Sequence, residues 1–370
     1  MIPVSIPHIA KNQRDYVIQC LDDNWISAFG KFDQKLCEGF SNFIGTDFAS
    51  TCTNGTMALH LALLACGIKK NDEVILPNFN SPYALFACGY VGAIPVLVDI
   101  NKEGDVTEEC LKKAITKKTK AIIIPHLFGI PSRVMPVLDI CRDNKIFIIE
   151  DCAECHGAKE QNMKMGSIGD IGCFSFYANK ILSSGEGGIC TTSNENLFDK
   201  INYYKNQTFN SGPIKTFIHD EIGFNYRMSN IHCAIAYAQL EEVNYILEQR
   251  ELILLKYKKE LEEYENYFRV TKLNTKPVNW MTTFRLPPSK LHLRNSLEEY
   301  LLEKSIQTRR FFAPMNEQPI FNKMRGRVVG ELNNSNEIAK SSIYLPTFIG
   351  ITDQQISRVS DEIKKFLSSK

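Results

Sequence analysis

Residues 48–76, FASTCTNGTMALHLALLACGIKKNDEVIL, contain two short strand-like runs with a helical stretch between them. The runs are Phe48 to Cys52 and Glu73 to Leu76, and the amphipathic stretch extends from Met57 to Cys66. A strand, a helix and a strand in this order predict parallel strands that are joined by a crossover helix covering one face of a sheet. The stretch therefore predicts an α/β fold.

The same alternation continues to residue 192, with Thr107 to Ile115 as a further helical stretch. Because ligands bind at the carboxyl ends of the strands in such sheets, the residues after each run are candidates for a functional site. The predicted strands beyond residue 76 are Pro95–Val98, Ala121–Ile124, Ile146–Ile149, Ile171–Phe176 and Gly188–Thr192.

Residues 229–264 form a long helical pattern, which we interpret as a bridge between two domains. We expect a large domain over residues 1–245, which includes an N-terminal arm, and a small α+β domain over residues 246–370. The elements predicted in the small domain are strands at residues 283–286, 307–312 and 342–345 and a helix at residues 353–366.

The chain has 370 residues, of which 44% are hydrophobic, 23% charged and 10% aromatic, and this composition excludes a disordered protein. Lys and Arg number 43 against 42 Asp and Glu, so we expect no role in wrapping nucleic acid or coating a membrane. The opening residues MIPVSIPHIAKNQRDY lack the apolar core of a signal peptide, and the apolar runs are too short for a transmembrane helix. Twelve cysteines, mostly in apolar segments, indicate a reduced cytoplasmic protein.

The turn after the first strand, Thr51 to Thr56, leads directly into a predicted helix. Free backbone N–H groups and the positive end of the helix dipole meet at such a turn, and together they favour a bound phosphate. Asn54, Gly55 and Thr56 are therefore candidate phosphate-binding residues. The alternative is that Asn54 is only an N-cap, and this motif alone leaves both interpretations open.

Two carboxylates, Glu150 and Asp151, follow directly after a buried apolar strand, where ligands bind in such sheets. An acid buried there needs a cationic partner, because burial otherwise favours its neutral form. The same segment contains Cys152-x-x-Cys155-His156, a spacing that also matches covalent haem attachment. Haem attachment of this kind belongs to exported proteins, so we favour the carboxylates as the functional feature and expect no metal site.

The segment from Phe174 to Gly188, FSFYANKILSSGEGG, places Lys180 among aromatic and apolar residues before a Gly-rich turn. A desolvated lysine becomes a usable amine nucleophile toward a carbonyl group, although most lysines lie at the surface. A phosphate cup, a buried Asp and a lysine in an aromatic setting are the three elements that pyridoxal 5′-phosphate needs. Together they predict an enzyme that uses this cofactor, with Lys180 and Asp151 as catalytic residues.

Over nearly its whole length the sequence resembles the DegT/StrS-type sugar-nucleotide aminotransferases, which are fold type I pyridoxal phosphate enzymes. The resemblance implies a large domain with a mostly parallel seven-stranded sheet and a smaller α+β C-terminal domain. Its most specific segments, FSFYANK with GEGG and GFNYRMSN, look most like the branch that makes GDP-perosamine. The segments that carry the resemblance are Trp25-Ile26-Ser27, NGTMALHLALLACGI (54–68), GDIGCFSFYANKILSSGEGG (169–188), IGFNYRMSNIHCAIAYAQLEEV (222–243) and SIYLPTFIGIT (342–352).

The resemblance also implies roles for single residues. Lys180 matches the lysine that forms a Schiff base with the cofactor, and Asp151 matches the partner of the pyridine nitrogen. Glu154 stands where the family often has Gln, near the phenolic oxygen of the cofactor. Asn225 matches a residue that reaches the phosphate of the neighbouring subunit, so a homodimer with shared active sites is expected. The remaining cofactor-binding residues that it implies are Asn54, Gly55, Thr56, Ser81 and Ser175.

Two positions depart from the family pattern. Ser81 stands four residues after Pro77, where the family usually has an aromatic residue stacked on the cofactor ring. Residues 312–316, FAPMN, stand where the branch often has Phe-His-Pro-Met-His, so two imidazoles are missing. Guanidinium groups bind phosphate through two donors, which makes two arginines candidates for the substrate diphosphate. The candidate substrate residues are Trp25, Ser27, Asn179, Arg227 and Arg309.

The implied reaction moves an amino group from L-glutamate to C4 of a nucleotide-linked 4-keto-6-deoxy sugar. GDP-4-keto-6-deoxymannose, which would give GDP-perosamine, is the first expectation, and UDP- or dTDP-linked 4-ketosugars are alternatives. Three further functions stay open: a sugar dehydratase of the same fold, a non-catalytic sensor and a haem-binding electron carrier. In the dehydratases His replaces the Schiff-base lysine, so Lys180 favours aminotransfer.

Overall fold

The computed structural model describes residues 1–209, 216–268 and 271–370. All seven strands predicted between residues 47 and 192 are present, and their alternation with helices confirms the α/β fold. The strands are β1 (Phe48–Cys52), β2 (Glu73–Pro77), β3 (Ile94–Val98), β4 (Thr119–Pro125), β5 (Phe147–Asp151), β6 (Lys159–Glu160), β7 (Met163–Lys164), β8 (Ile171–Ser175), β9 (Gly188–Thr192), β10 (Thr275–Lys276), β11 (Thr283–Arg285), β12 (Arg309–Arg310), β13 (Arg327–Val329) and β14 (Ser342–Tyr344).

Helices precede, separate and follow these strands. The two helical stretches predicted in the first half of the chain are both present, as the third and fifth helices. The α-helices are α1 (Gln13–Asp22), α2 (Lys31–Ile44), α3 (Gly55–Ala65), α4 (Tyr83–Val91), α5 (Glu108–Ala114), α6 (Met135–Asp143), α7 (Glu195–Lys205), α8 (Asn230–Glu241), α9 (Val243–Glu260), α10 (Arg294–Glu303), α11 (Pro319–Lys323), α12 (Asn333–Ser341) and α13 (Asp353–Ser368).

Within the described residues the main sheet has the strand order β1-β9-β8-β5-β4-β2-β3-β13. Strand β9 runs antiparallel to both of its neighbours, and every other adjacent pair is parallel. The sheet is therefore mostly parallel, as predicted, but it has eight strands rather than seven. The additional strand, β13, pairs Val328 with Leu97. It is only three residues long, Arg327–Val329, which is too short to show a strand pattern in the sequence.

Both faces of this sheet are buried, as expected of parallel strands that are connected through helices. Alternate residues of β2 divide between the two faces: Ile75 belongs to one hydrophobic cluster, and Val74 and Leu76 belong to the other. Helices α2 and α8 contribute to the first cluster, and α3 and α4 contribute to the second. The backbone at the carboxyl ends of the strands is thereby held by packing on both sides.

The helical pattern predicted over residues 229–264 forms two helices instead of one. Helix α8 begins after Ser229, whose hydroxyl accepts a hydrogen bond from the backbone N–H of His232, and α9 begins after Glu242. The carboxylate of Glu242 accepts a hydrogen bond from the backbone N–H of Lys11 and lies 2.8 Å from Nε2 of His8. The break between the two helices thus coincides with a tertiary contact, and no Gly or Pro at this point of the sequence predicts it.

The C-terminal part contains a second sheet with the order β11-β14-β12, and helix α13 covers its buried cluster. Strands β11 and β14 and helix α13 lie where they were predicted, whereas the strand expected at residues 307–312 is reduced to Arg309–Arg310. Ile2 pairs with Ile306 and joins this cluster, so the first residues contact the C-terminal part. The division at residue 245 stays a prediction.

Among the residues that the structure describes, each helix is either too short or too polar to cross a lipid bilayer.

Candidate active site

The carboxyl ends of the parallel strands bring candidate residues to one edge of the sheet. Asn54 follows β1, Ser81 lies in the turn after β2, and His126 follows β4. Asp151 ends β5 and Ser175 ends β8, and both side chains are buried. This edge of the sheet therefore carries polar side chains that take no part in the hydrogen bonds between its strands.

Asp151 is a buried acid with few partners. Its Oδ1 accepts a hydrogen bond of 3.2 Å from the backbone N–H of Ala153, and its backbone carbonyl accepts one of 3.0 Å from His126. Burial raises the pKa of the Asp151 carboxyl, and that backbone bond and the charges of Lys180 and His126 only partly offset the effect. The carboxyl is therefore suited to a cationic partner that shares its pocket.

Glu150, the preceding residue, has a structural role. Its carboxylate accepts hydrogen bonds from the backbone N–H groups of Gly166, Ile168 and Gly169 and lies 3.1 Å from Nε2 of His126. Nδ1 of His126 accepts the backbone N–H of Ser132, so Nε2 carries the proton and donates to Glu150. Burial works to raise the pKa of Glu150, but these hydrogen bonds hold it below its usual value.

The buried polar groups around this pair do not form a metal or haem site. Ligand atoms of His126, Glu150 and Cys152 lie within 4.8 Å of one another, but hydrogen bonds already occupy the imidazole and the carboxylate. In the Cys152-x-x-Cys155-His156 motif both cysteines and the histidine are fully buried, with the imidazole against Phe174. A haem group does not fit in this packed core.

Lys180 lies in the loop between β8 and β9, and its amine is nearly buried. Its Nζ is 3.3 Å from Oε1 of Glu154 and 4.4 Å from the ring centroid of Trp280. Oε2 of Glu154 accepts a 3.0 Å hydrogen bond from the backbone N–H of Phe128. Burial raises the pKa of Glu154, and the charge of Lys180 opposes that rise. The amine is thus held inside the site, in contrast to a lysine that extends into solvent.

Aromatic rings form one wall of this pocket. Phe128 has a positive φ of 57° and stacks on Phe311, with ring centroids 3.9 Å apart and planes 15° apart. Trp280 lies 5.9 Å from Phe128 in a similar orientation. Burial raises the pKa of Tyr344 to about 12, and Arg309 contacts its hydroxyl. Tyr344, whose ring lies 5.8 Å from that of Phe128, thus links the exposed Arg309 to this wall.

The predicted phosphate cup combines a cap with a close backbone approach. Oδ1 of Asn54 accepts the backbone N–H of Met57, which confirms the N-cap interpretation for its side chain. A Cβ on Gly55 would lie 2.8 Å from the Cβ of Ser175, so only glycine lets the helix start this close to β8. Thr56, in the first turn of α3, is half-buried. Gly55, Thr56 and Ser175 therefore stand together at the positive end of α3.

The side chain of Asn179 adds an unusual acceptor beside Lys180. Its Oδ1 is buried and has no hydrogen-bond partner among the described residues, while its backbone carbonyl accepts the indole N–H of Trp280 at 2.7 Å. An unpaired buried oxygen of this kind in a native site indicates that a ligand or water donates to it. Ser81, another predicted site residue, is also buried, and its backbone N–H donates to the side chain of Asn80.

Asn225 and Arg227 form a second group with the N-terminal segment. Arg227 donates hydrogen bonds of 3.1 and 2.6 Å to Oδ1 of Asn225, and its guanidinium lies 5.9 Å from the ring of Phe29. Trp25 and Ser27 lie nearby in sequence and are exposed. Within residues 1–209, 216–268 and 271–370, no hydrogen bond connects these predicted residues with Lys180, Asp151 or Glu154.

Sequence reasoning did not identify Trp280, Phe128 or His126. Phe128 and His126 follow a predicted strand, and that position could have marked them. Trp280 lies a hundred residues from Lys180 in the chain, and the only available signal was that tryptophan occurs twice in the sequence.

Comparison with known proteins supplies independent information. The model of the DegT/DnrJ/EryC1/StrS aminotransferase family matches residues 7–364. The GDP-perosamine synthase of Escherichia coli O157:H7 is 34% identical over 100% of this chain and 99% of its own, and that of Caulobacter vibrioides is 37% identical over 97% and 96%. A solved structure of a Helicobacter pylori aminotransferase involved in pseudoaminic acid biosynthesis has a TM-score of 0.91, 21% identity and full coverage of both chains.

Proposed function

Because the chain belongs to the DegT/DnrJ/EryC1/StrS aminotransferase family, we propose that it transfers an amino group from L-glutamate to C4 of GDP-4-keto-6-deoxymannose. At the level of the family, the protein is a pyridoxal phosphate-dependent sugar-nucleotide aminotransferase. The nucleotide and the sugar are inferred from relatives named GDP-perosamine synthase at 34–37% identity. UDP- and dTDP-linked 4-ketosugars are the competing substrates.

The residues of the pocket fit the cofactor. An amine, a carboxyl whose pKa is raised by burial, and a helix start against Ser175 are the three groups that its aldehyde, ring nitrogen and phosphate require. Bound pyridoxal phosphate supplies a reactive aldehyde and a protonated ring that accepts electrons. In this assignment Asp151 holds the proton at the ring nitrogen, and Gly55, Thr56 and Ser175 hold the phosphate.

The amine of Lys180, held 3.3 Å from Glu154 in a nearly buried site, is the observation that carries the proposal. A neutral Lys180 Nζ takes the proton from the α carbon of the amino acid, and in the second half-reaction it returns a proton to the sugar carbon. Glu154 holds Nζ by this contact, and the charge of Lys180 also acts on Asp151. The buried rings of Phe128 and Trp280 border the site of this proton transfer.

Chemical trapping tests the lysine assignment. Borohydride reduction of the protein loaded with pyridoxal phosphate should fix the cofactor to Lys180, as mapped by mass spectrometry of its peptides. Lys205 is the internal control, because it is also buried and donates to the carbonyl of Thr51, next to the predicted cup. Label on Lys205 or any other lysine would show that the site is assigned wrongly.

A substrate panel tests the sugar nucleotide. GDP-, UDP- and dTDP-linked 4-keto-6-deoxy sugars are each incubated with L-glutamate, and the aminated products are measured by mass spectrometry. We expect the GDP-linked sugar to give the highest kcat/KM, and the Lys180→Ala variant to give no product from any of them. Preference for another nucleotide would overturn the substrate and leave the aminotransferase assignment in place.

We also propose that two copies of the chain share each active site. Among the described residues, Asn225 bonds with Arg227 while Lys180 bonds with Glu154, and no hydrogen bond joins the two pairs, which supports this arrangement. A purified heterodimer of Asn225→Ala and Lys180→Ala chains should regain activity, because one of its two sites would then contain both natural residues. A verified heterodimer without activity would contradict shared sites.

A further inference from the structure

We propose that Trp280 is a positioning residue for Lys180 and stabilises its amine whenever the amine carries a proton. The proposal rests on the proposed role of Lys180 and goes beyond it. The indole ring centroid lies 4.4 Å from Nζ, and the indole N–H donates a 2.7 Å hydrogen bond to the carbonyl of Asn179. Trp280 therefore contacts both the amine of Lys180 and the peptide group between Asn179 and Lys180.

The position of Trp280 is fixed from three sides. Its carbonyl accepts a 2.6 Å hydrogen bond from Nη1 of Arg250 in α9, and the residue is 2% exposed. The backbone N–H of Val278 donates to the carbonyl of Gly129, which anchors the same segment to the loop after β4. Because Phe128 packs beside the indole, the ring has little room to rotate. Because the ring is held firmly, it restricts where the amine of Lys180 can lie.

The physical effect depends on the charge of the amine. An ammonium group over an aromatic face is attracted by the ring quadrupole, whereas a neutral amine gains little. Trp280 therefore stabilises Lys180 after it has taken a proton, in addition to the Glu154 carboxyl that lies 3.3 Å from the same amine. Among the described residues, Glu154, Asp151 and His156 each interact electrostatically with Lys180. Burial lowers the pKa of His156 to about 3, so this imidazole is neutral. The groups that stabilise a positive charge on Lys180 are then the two acids and the Trp280 ring.

The test measures Lys180 in the cofactor-free protein. Lysines are acylated at a series of pH values, and the labelled fraction at each one is determined by mass spectrometry. In Trp280→Leu we expect the labelling midpoint of Lys180 to fall by about 0.5–1.5 pH units, because the charged form loses its aromatic partner. Lys164, whose Nζ lies 4.5 Å from the ring of Phe43, should keep its midpoint in this variant. In Phe43→Leu we expect the opposite result: the labelling midpoint of Lys164 should fall, and that of Lys180 should stay unchanged.

Fluorinated tryptophan keeps the proposal testable if Trp280→Leu does not fold. The chain has two tryptophans, so incorporation in a Trp25→Phe background places the analogue at Trp280 alone. Fluorine atoms weaken the negative face of the ring with little change in size, so the Lys180 midpoint should fall step by step with each added fluorine. A midpoint that does not move in either experiment overturns the proposal. Since neither cofactor nor sugar is present, the result is independent of which sugar nucleotide the enzyme uses.

Discussion

Oε1 of Glu154 lies 3.3 Å from Nζ of Lys180, while Oε2 of the same carboxyl accepts the backbone N–H of Phe128 at 3.0 Å. One side chain thus connects the proposed catalytic amine with the strained loop after β4. Burial raises the pKa of Glu154, so the group gains a proton more readily than an exposed glutamate does. A carboxyl and a glutamine amide both present an acceptor oxygen to the N–H of Phe128, so Glu154 is compatible with a position where the family often has Gln.

The first prediction concerns this position. Glu154→Gln should keep kcat within about fivefold of the unchanged protein, because the amide oxygen still accepts the N–H of Phe128. Glu154→Ala should lower kcat by about 10- to 100-fold, because Lys180 and the Phe128 loop both lose their partner. Steady-state kinetics with the sugar nucleotide measure both. Equal losses in the two variants would show that the negative charge, and not the hydrogen bond, is what the site needs.

The second prediction concerns Asp151 and pH. The raised pKa of this buried carboxyl means that the folded cofactor-free protein keeps the proton to a higher pH than the unfolded chain does. The resulting stability is complete below the ordinary Asp pKa of about 3.9 and is lost as pH rises through the raised value. Asp151→Asn removes that loss, so its free energy of unfolding should exceed that of the unchanged protein by a margin that widens as pH rises toward neutrality.

Denaturant unfolding of the cofactor-free proteins between about pH 4 and pH 8 measures this margin. Asp139→Asn, on the exposed side of α6, is the control and should change stability by less than about 0.5 kcal/mol at each pH. The same Asp151→Asn protein should lose about 100-fold in kcat, because the proton at the ring nitrogen loses its counter-charge. An Asn variant that is less stable than the unchanged protein at neutral pH would contradict the assigned cause.

The elements that could be predicted are those that are encoded locally. Strands β2 to β5 are buried on both faces, and each consequently contains a short apolar run. Asp151 could be predicted as a candidate site residue because it ends such a run. The break at Glu242 and strand β13 depend on contacts with distant residues, and neither leaves a periodic signal. Trp280 depends on Arg250 and Gly129 in the same way. Local pattern therefore marked the sheet edge where the proposed site lies but missed the segment that covers it.

The third prediction concerns Gly129, which brings the Trp280 segment to the loop after β4. Its φ is +81°, and an added Cβ would lie 1.9 Å from the carbonyl oxygen of Val278. Gly45, with φ of +92° and open space around it, is a matched control. Gly45→Ala should cost about 1 kcal/mol of unfolding free energy, as expected for strain in the backbone alone. Gly129→Ala should cost about 3 kcal/mol or more, because the Val278 backbone must also move. Equal costs in a denaturant titration would show that this contact is not tight.

The fourth prediction concerns the predicted phosphate cup. A Cβ on Gly55 would lie 2.8 Å from the Cβ of Ser175, so Gly55→Ala must push the start of α3 away from the end of β8. The backbone N–H groups of the first turn then move off the phosphate, and we expect the Kd for pyridoxal phosphate to rise about 10-fold or more. Gly89→Ala in α4 is the control, since its Cβ would meet only the Met324 side chain at 3.6 Å. An absorbance titration of both variants gives the Kd values, and thermal unfolding of the cofactor-free proteins shows whether each is folded. A folded Gly55→Ala protein that binds the cofactor as tightly as Gly89→Ala does would place the phosphate elsewhere in the pocket.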